Sequence, residues 1–461
     1  MKIIEIPYKF FHHEKKHLLI LNSLEQIIFS ENFKDTFRTQ NSFFVRSRLF
    51  TFSTIILMQL NFISRSISVE VSKFLSKFHF SGKEKDGSKQ AFSKARQHIK
   101  WEGFVHLNEK LVKQYYDDQD QLHYKNKYIV LATDGSTYQL PYEKRLIDEF
   151  NTCDNGQGQP MCMAQGLKIY DVLNHINIIS TLSPYNSGQS KGTNEQVLFE
   201  ECLEKLPQLI DNKEHNILIL GDRFYPSYFN FHKLPLLGYS FVFRVKATFC
   251  NEVKDFIKSK EVDSWLEIDL NKSGRKYSTS AKRIKEMPRI ISVRCMKIML
   301  KNGKVEYLIT NLDEGELSRQ DSKKLYNFRW NEETSFDTDK NKLEVENISS
   351  KTPNGVRQDF HAKILSANIT QLLISDAQQM LDEEQADKDN KYDYQINQAV
   401  ATGLVKDELP KLFLGKELVE TWYPRMVKKI FRRREPIRPG RTYGRKRKHK
   451  LKYPITKRRV V

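Results

Sequence analysis

Tyr128-Ile-Val-Leu-Ala-Thr-Asp134 is a short apolar run closed by an acid, and Asn216-Ile-Leu-Ile-Leu-Gly-Asp222 repeats the arrangement 88 residues later. Runs of this length, rich in branched aliphatic residues, read as strands buried on both faces. Gly135-Ser136-Thr137 follows the first run, so the strand is expected to deliver Asp134 to a loop. An acid at the tip of a buried strand is costly unless it is paired or bound to a metal. Either run alone suits any α/β protein. The two together place a pair of carboxylates at strand ends.

Downstream, Tyr326, Arg329, Glu333 and Lys340 form the pattern Tyr-x2-Arg-x3-Glu-x6-Lys. At roughly 100° per helical residue, positions three and seven beyond Tyr326 fall within about 60° of it, so Tyr326, Arg329 and Glu333 share one face. Glu332 lies about 120° off that stripe, which favours Glu333 as the functional acid. Asp337-Thr338-Asp339 interrupts the approach to Lys340. Taken alone, the stripe equally suits a surface helix with an ordinary Arg/Glu pair at spacing four. Combined with the two strand-end aspartates, a helical glutamate completes a set of oxygen donors that can hold hard divalent cations. Two ions about 4 Å apart suit phosphoryl transfer.

These residues, with Thr133-Asp134-Gly135-Ser136, Gly221-Asp222-Arg223-Phe224-Tyr225 and Tyr307-Leu-Ile-Thr-Asn311, resemble an Asp-Asp-Glu transposase of the insertion-sequence group carrying the Tyr-Arg-Glu-Lys signature. The resemblance extends over most of the chain. It implies a ribonuclease H-like mixed-sheet core of α/β class, with Asp134, Asp222 and Glu333 as catalytic and metal-binding carboxylates for two Mg²⁺ or Mn²⁺ ions. Tyr326, Arg329 and Lys340 would then bind DNA by gripping the terminal phosphates. The implied activity is metal-dependent cleavage at terminal inverted repeats followed by strand transfer on a cut-and-paste route. The implied partners are double-stranded DNA, as element end and target, and a second copy of the chain in a homodimer on DNA. Two alternatives stay open: a nuclease of the same fold without strand transfer, and a DNA-binding protein with a silent site. Trp265 and Trp330 are candidate stacking residues for an extruded base. Each is equally readable as packing. Arg223 can meet a phosphate or pair with an acid.

Composition narrows the field. A chain of 461 residues, 39% hydrophobic and 29% charged, can bury large cores and is not disordered throughout. No segment near the start reads as a signal peptide. The longest apolar stretch, about Leu49 to Ile63, holds Thr51, Ser53, Thr54, Gln59 and Asn61, and reads as a buried helix and not as a membrane span. Five scattered cysteines without a CxxC pair fit free thiols in a reducing compartment and speak against zinc. A cytoplasmic, nucleoid-associated protein is expected. Of the net charge of +19, residues Arg425–Val461 carry seventeen Lys or Arg against Glu435 alone, a net +16 that leaves +3 for the preceding body. Such a segment attracts phosphates through counterion release, and its Pro and Gly content predicts an extended or disordered tail.

The expected organisation has five parts: an all-α DNA-binding domain over 1–120, a first part of the core over 121–248, a β-rich insertion over 249–310, the catalytic helix and C-terminal helices over 311–424, and the basic tail over 425–461. Within the first part, a helix holding Val71, Phe74, Leu75 and Phe78, a turn near Ser81 to Gly87 and a helix from Ser88 suit either a helix-turn-helix or a plain bundle. The groove-reading version assigns Lys89, Gln90, Lys94, Arg96 and Gln97 outward, with Ala91, Phe92, Ala95 and Ile99 inward. Asn302-Gly303 marks a hairpin within 289–310. Helices are expected at about Asn194–Leu209, Phe360–Met380 and Gln395–Leu414.

Overall fold

The computed structural model describes residues 10–46, 48–61, 63, 66–78, 87–154, 156, 158–186, 194–270, 287–300, 303–329, 340, 343–386, 388, 391–415 and 417–438. Strands β1 (Tyr128–Gln139), β3 (Pro160–Asp171), β6 (Asn216–Gly221) and β7 (Ser240–Val245) form the centre of a mixed sheet. Its order is β2-β3-β1-β6-β7-β10-β9-β8, with β4 (Asn177–Ser180) and β5 (Ser183–Pro184) also paired to β3. Here β2 is Thr152–Asp154, β8 Asp263–Asp269, β9 Ile290–Met299 and β10 Val305–Thr310. The β1–β6 and β6–β7 pairs are parallel and the others are antiparallel.

Side-chain alternation along β1 explains why it is central. Ile129 and Leu131 join the core that contains Leu198, Phe199, Cys202 and Leu203 of α8 (Glu195–Lys205). Val130 and Ala132 face the opposite core, with Leu325 and Tyr326 of α11 (Arg319–Asn327). A strand covered on both faces needs no polar alternation, and each aliphatic side chain so buried stabilises by about 1.5–3 kcal/mol relative to exposure. Asn194 caps α8 by accepting from the Gln196 N–H, at 2.8 Å.

Around this sheet stand α1 (Phe10–Phe29), α2 (Glu31–Phe37), α3 (Phe52–Leu60), α4 (Ile67–Phe78), α5 (Lys89–Arg96), α6 (Glu102–Tyr115), α7 (Lys144–Phe150), α9 (Tyr228–Leu236) and α10 (Asn251–Lys258). The chain ends its described course with α12 (Pro353–Ala386), β11 (Tyr394–Ile396), α13 (Gln398–Phe413), α14 (Val419–Phe431) and β12 (Arg434–Pro436). Helix α12 has 34 residues and spans about 51 Å. It packs on α1, α3, α6 and α14, so the first and last helices share one apolar core.

Several expectations are corrected. The strand carrying Asp134 does not end there: β1 continues to Gln139 because β3 pairs with it through Gln139↔Met163. Segment 249–310 joins the central sheet through β10 on β7, and its β9–β10 hairpin turns through Gly303 at φ 78°. The region from Arg425 is not a tail throughout, because α14 buries Trp422, Tyr423, Met426, Val427 and Ile430 and β12 pairs with β11. An amphipathic stripe outweighs the local charge there. The remainder, 439–461, lies outside the described residues, as does most of the turn between α4 and α5.

Helix α5 begins after Ser88 as expected, but Arg96 is not available to DNA. It is 1% exposed. Its Nε donates to Gln358 Oε1 at 3.0 Å, its Nη1 to Ser349 Oγ at 2.7 Å, and its Nη2 to Asp359 Oδ1 at 2.8 Å. Gln97 accepts from the Thr352 hydroxyl at 2.8 Å. Both residues fasten α5 to the start of α12. Ala91 faces solvent and not the core.

Candidate active site

Thr133↔Gly221 is the last parallel pair between β1 and β6. Asp134 and Asp222 are the next residue on each chain. In parallel strands equal register means the same face, and neighbouring strands lie about 4.8 Å apart. The two carboxylates therefore emerge side by side, on the face covered by α11. Asp134 Oδ1 accepts from the Gly135 N–H at 2.9 Å, and Asp222 Oδ1 accepts from the Phe224 N–H at 2.7 Å. The second bond turns the chain sharply after β6.

The pair is short of positive charge. Burial, and then the neighbouring Asp222, push the Asp134 carboxyl up to about 7, against the opposing pull of Arg329. Arg329 Nη1 stands 3.9 Å from Asp134 Oδ2. At that distance one guanidinium does not offset two crowded carboxylates.

Tyr326 and Arg329 are brought to the aspartates and are buried, at 5% and 6% exposure. The Tyr326 hydroxyl lies 3.5 Å from the Gly221 carbonyl oxygen, a long contact. The Arg329 guanidinium stands over the Tyr326 ring at 5.6 Å. Burial raises the Tyr326 phenol well above its ordinary range. The helix expected to run through this motif pauses, since α11 ends at Asn327 and Phe328 is its C-cap. The Lys340 side chain meets β1 farther along: its ammonium donates to the Thr137 carbonyl at 2.8 Å and sits 5.1 Å from the Tyr138 ring centre. That is about 10 Å along the strand from Asp134. Glu333, Glu332, Trp330 and Asp337 lie outside the described residues. Trp265 is 48% exposed on β8, the last strand in the sheet order and four places from β6. Arg223 is exposed.

One acid that the sequence reading missed stands at this site. Glu195 opens α8, and its Oε1 accepts a 2.6 Å hydrogen bond from the Tyr225 hydroxyl. A Cβ on Gly135 would lie 2.4 Å from the Glu195 Cδ. Burial raises the Glu195 carboxyl, Tyr225 opposes that, and Asp222 adds to it. Topology is the signal that would have found it. A helix leading directly into a strand runs back along it, so the start of α8 lies over the end of β6 where Asp222 sits.

The donors are hard oxygens, the chemistry that suits Mg²⁺ or Mn²⁺. The raised Asp134 carboxyl marks a place that a cation would relieve. Among the described residues, no three His, Cys, Asp or Glu side chains are placed to share a metal ion. Nor is any helix among them long and apolar enough to cross a membrane.

A family model described as "Transposase DDE domain" matches residues 125–369, more than half of the 461-residue chain. Among solved structures, a piggyBac transposase synaptic complex with hairpin DNA aligns at a TM-score of 0.45 and 10% identity, covering 92% of this chain and 87% of that one. No curated protein matches the sequence.

Proposed function

Because the chain belongs to the family of transposases with a DDE domain, we propose that it is an insertion-sequence transposase of the Tyr-Arg-Glu-Lys group. It cuts DNA at the ends of its element and joins them to a target. The carrying observation is the register that sets Asp134 and Asp222 side by side just past Thr133↔Gly221. The order of strands around them, with β4–β3 and β3–β1 antiparallel and β1–β6 and β6–β7 parallel, supports a ribonuclease H-like core.

In this reading Asp134, Asp222 and Glu333 hold two Mg²⁺ or Mn²⁺ ions. Bound there, such ions activate an attacking oxygen and steady the leaving one. Asp134 and Asp222 contribute carboxylates whose shared register fixes their spacing. Arg329, anchored over Tyr326, presents a buried guanidinium to a phosphate beside Asp134. Lys340 lies along β1, where a DNA backbone leaving the aspartates would pass. The cluster of Lys and Arg from Arg432 onward adds attraction to DNA without reading its sequence.

The test uses a duplex containing the inverted repeats that flank the gene. The protein with Mg²⁺ should nick that duplex and join the freed 3′ end to a second DNA. Asp222→Asn and Glu333→Gln, still binding the duplex, should lose both products. Substantial cleavage by either variant rejects the assignment. Cleavage without joining by the unaltered chain points to a nuclease instead.

A further inference from the structure

Glu195 is held from two sides by residues adjoining the paired aspartates. Tyr225, three residues beyond Asp222, is fully buried and donates its hydroxyl to Glu195 Oε1 at 2.6 Å. Gly135, next to Asp134, leaves the room that the carboxylate fills: a Cβ there would stand 2.5 Å from Glu195 Oε2. Gly135 lies within β1, paired with Leu167, so the need for glycine is a need for space and not for unusual backbone angles. Two motif residues are thus committed to seating one side chain that belongs to neither motif.

An acid at the first position of a helix is ordinarily explained by the helix dipole. That account predicts a solvated carboxylate. It explains neither a buried tyrosine aimed at one oxygen nor a glycine directly beneath the carboxylate. Tyr225 takes one lone pair of Oε1 and the Gly135 N–H adds a backbone hydrogen bond to the carboxylate, which still leaves acceptor capacity on its two oxygens. A carboxylate oriented from two sides in this way suits hydrogen bonding to a metal-bound water.

We propose that Glu195 is a positioning residue of the metal centre, using Oε2 to hold water on an ion bound by Asp134 and Asp222 while Tyr225 and Gly135 fix its orientation. This rests on the metal-dependent reading of the site given above. Partners that orient a metal's direct ligands typically alter its affinity by about 10–100-fold when removed.

The experiment measures Mn²⁺ binding to the full chain by calorimetry, together with unfolding temperature. Glu195→Gln keeps an oxygen to accept from Tyr225 and nearly the same volume, and loses the charge. It should unfold like the unaltered protein and bind Mn²⁺ about tenfold more weakly. Gly135→Ala, which displaces the carboxylate, should weaken binding similarly. If Glu195→Gln proves unable to fold, Tyr225→Phe, which deletes a single hydroxyl, decides by the same readout. Unchanged Mn²⁺ affinity in Glu195→Gln, where Asp134→Asn and Asp222→Asn abolish binding, overturns this inference alone and makes Glu195 a brace between α8 and the turn after β6. Unchanged affinity in the two aspartate variants overturns the metal reading itself, and this inference with it.

Discussion

Replacing Asp134 with Asn in metal-free protein should raise stability, and the gain should grow as pH rises from 5 to 8. The native carboxyl titrates at about 7, against the ordinary aspartate value of 3.8. Below pH 3.8 both the native and unfolded states hold the proton, and Asp134 costs nothing. Between 3.8 and 7 the unfolded chain releases its proton while the native protein keeps it, so stability falls with rising pH. Above 7 both are ionised and the whole penalty is present, roughly 4 kcal/mol at 1.36 kcal/mol per pH unit. At pH 5 the same reasoning gives roughly 1.6 kcal/mol. Asn carries no charge at either pH, so the gap between variant and parent should widen by roughly 3 kcal/mol across that interval. For 461 residues at about 2.1 cal/mol/K each, a single unfolding transition converts this to about 3 °C. Thermal unfolding of both proteins in EDTA at pH 5 and pH 8 measures it. A gap that does not change with pH refutes the idea that crowding with Asp222 and burial keep Asp134 protonated. Adding Mn²⁺ at pH 8 should raise the parent's unfolding temperature and leave the variant's nearly unmoved, since only the parent retains both carboxylates.

Arg96→Met removes one partner of the buried ion pair with Asp359, at 2.8 Å, and should cost about 3–5 kcal/mol in denaturant unfolding; a stable variant that merely binds DNA less well would restore Arg96 to a groove-reading role. Tyr326→Phe deletes a hydroxyl whose contact with the Gly221 carbonyl oxygen is 3.5 Å long, so urea unfolding should change by less than about 1 kcal/mol; a larger loss means the contact is stronger than its length indicates. Removing residues 439–461 takes away ten Lys or Arg and no acid. Non-specific DNA affinity should then fall, and the slope of log K against log salt should become shallower by several units at about 0.9 per lost phosphate contact. An unchanged slope would place DNA elsewhere on the protein.

The two aspartate strands were legible because burial on both faces leaves an unmistakable apolar run, and the β9–β10 hairpin was legible from its Asn-Gly turn. What was not legible is what depends on a partner. Nothing in Gly135-Ser136-Thr137 announces that β1 continues, since those residues suit a loop until β3 supplies hydrogen-bond partners through Gln139↔Met163. Arg96 misled for the same reason: a cation on a short amphipathic helix reads as exposed until Asp359 and Gln358, some 260 positions later, enclose it. The region beyond Arg425 was read by its charge, and its helix is secured by Trp422 and Tyr423, upstream of the charge, packing on α12.

Glu195 follows from the same principle turned to advantage. Once β1 and β6 are known to be parallel, the helix preceding β6 must begin at the end of the sheet where Asp134 and Asp222 emerge, because it has to run the sheet's length before the strand can return. Any acid in its first turn is then delivered to the aspartates by connectivity. What decides whether it is used is whether the neighbouring backbone makes room. Gly135 does so without adopting a backbone angle that would require glycine, and the cost of a larger residue there falls first on the carboxylate. A requirement for glycine in an ordinary strand thus reports a close approach from the other face, and here the approaching group is an acid held by the tyrosine that follows Asp222.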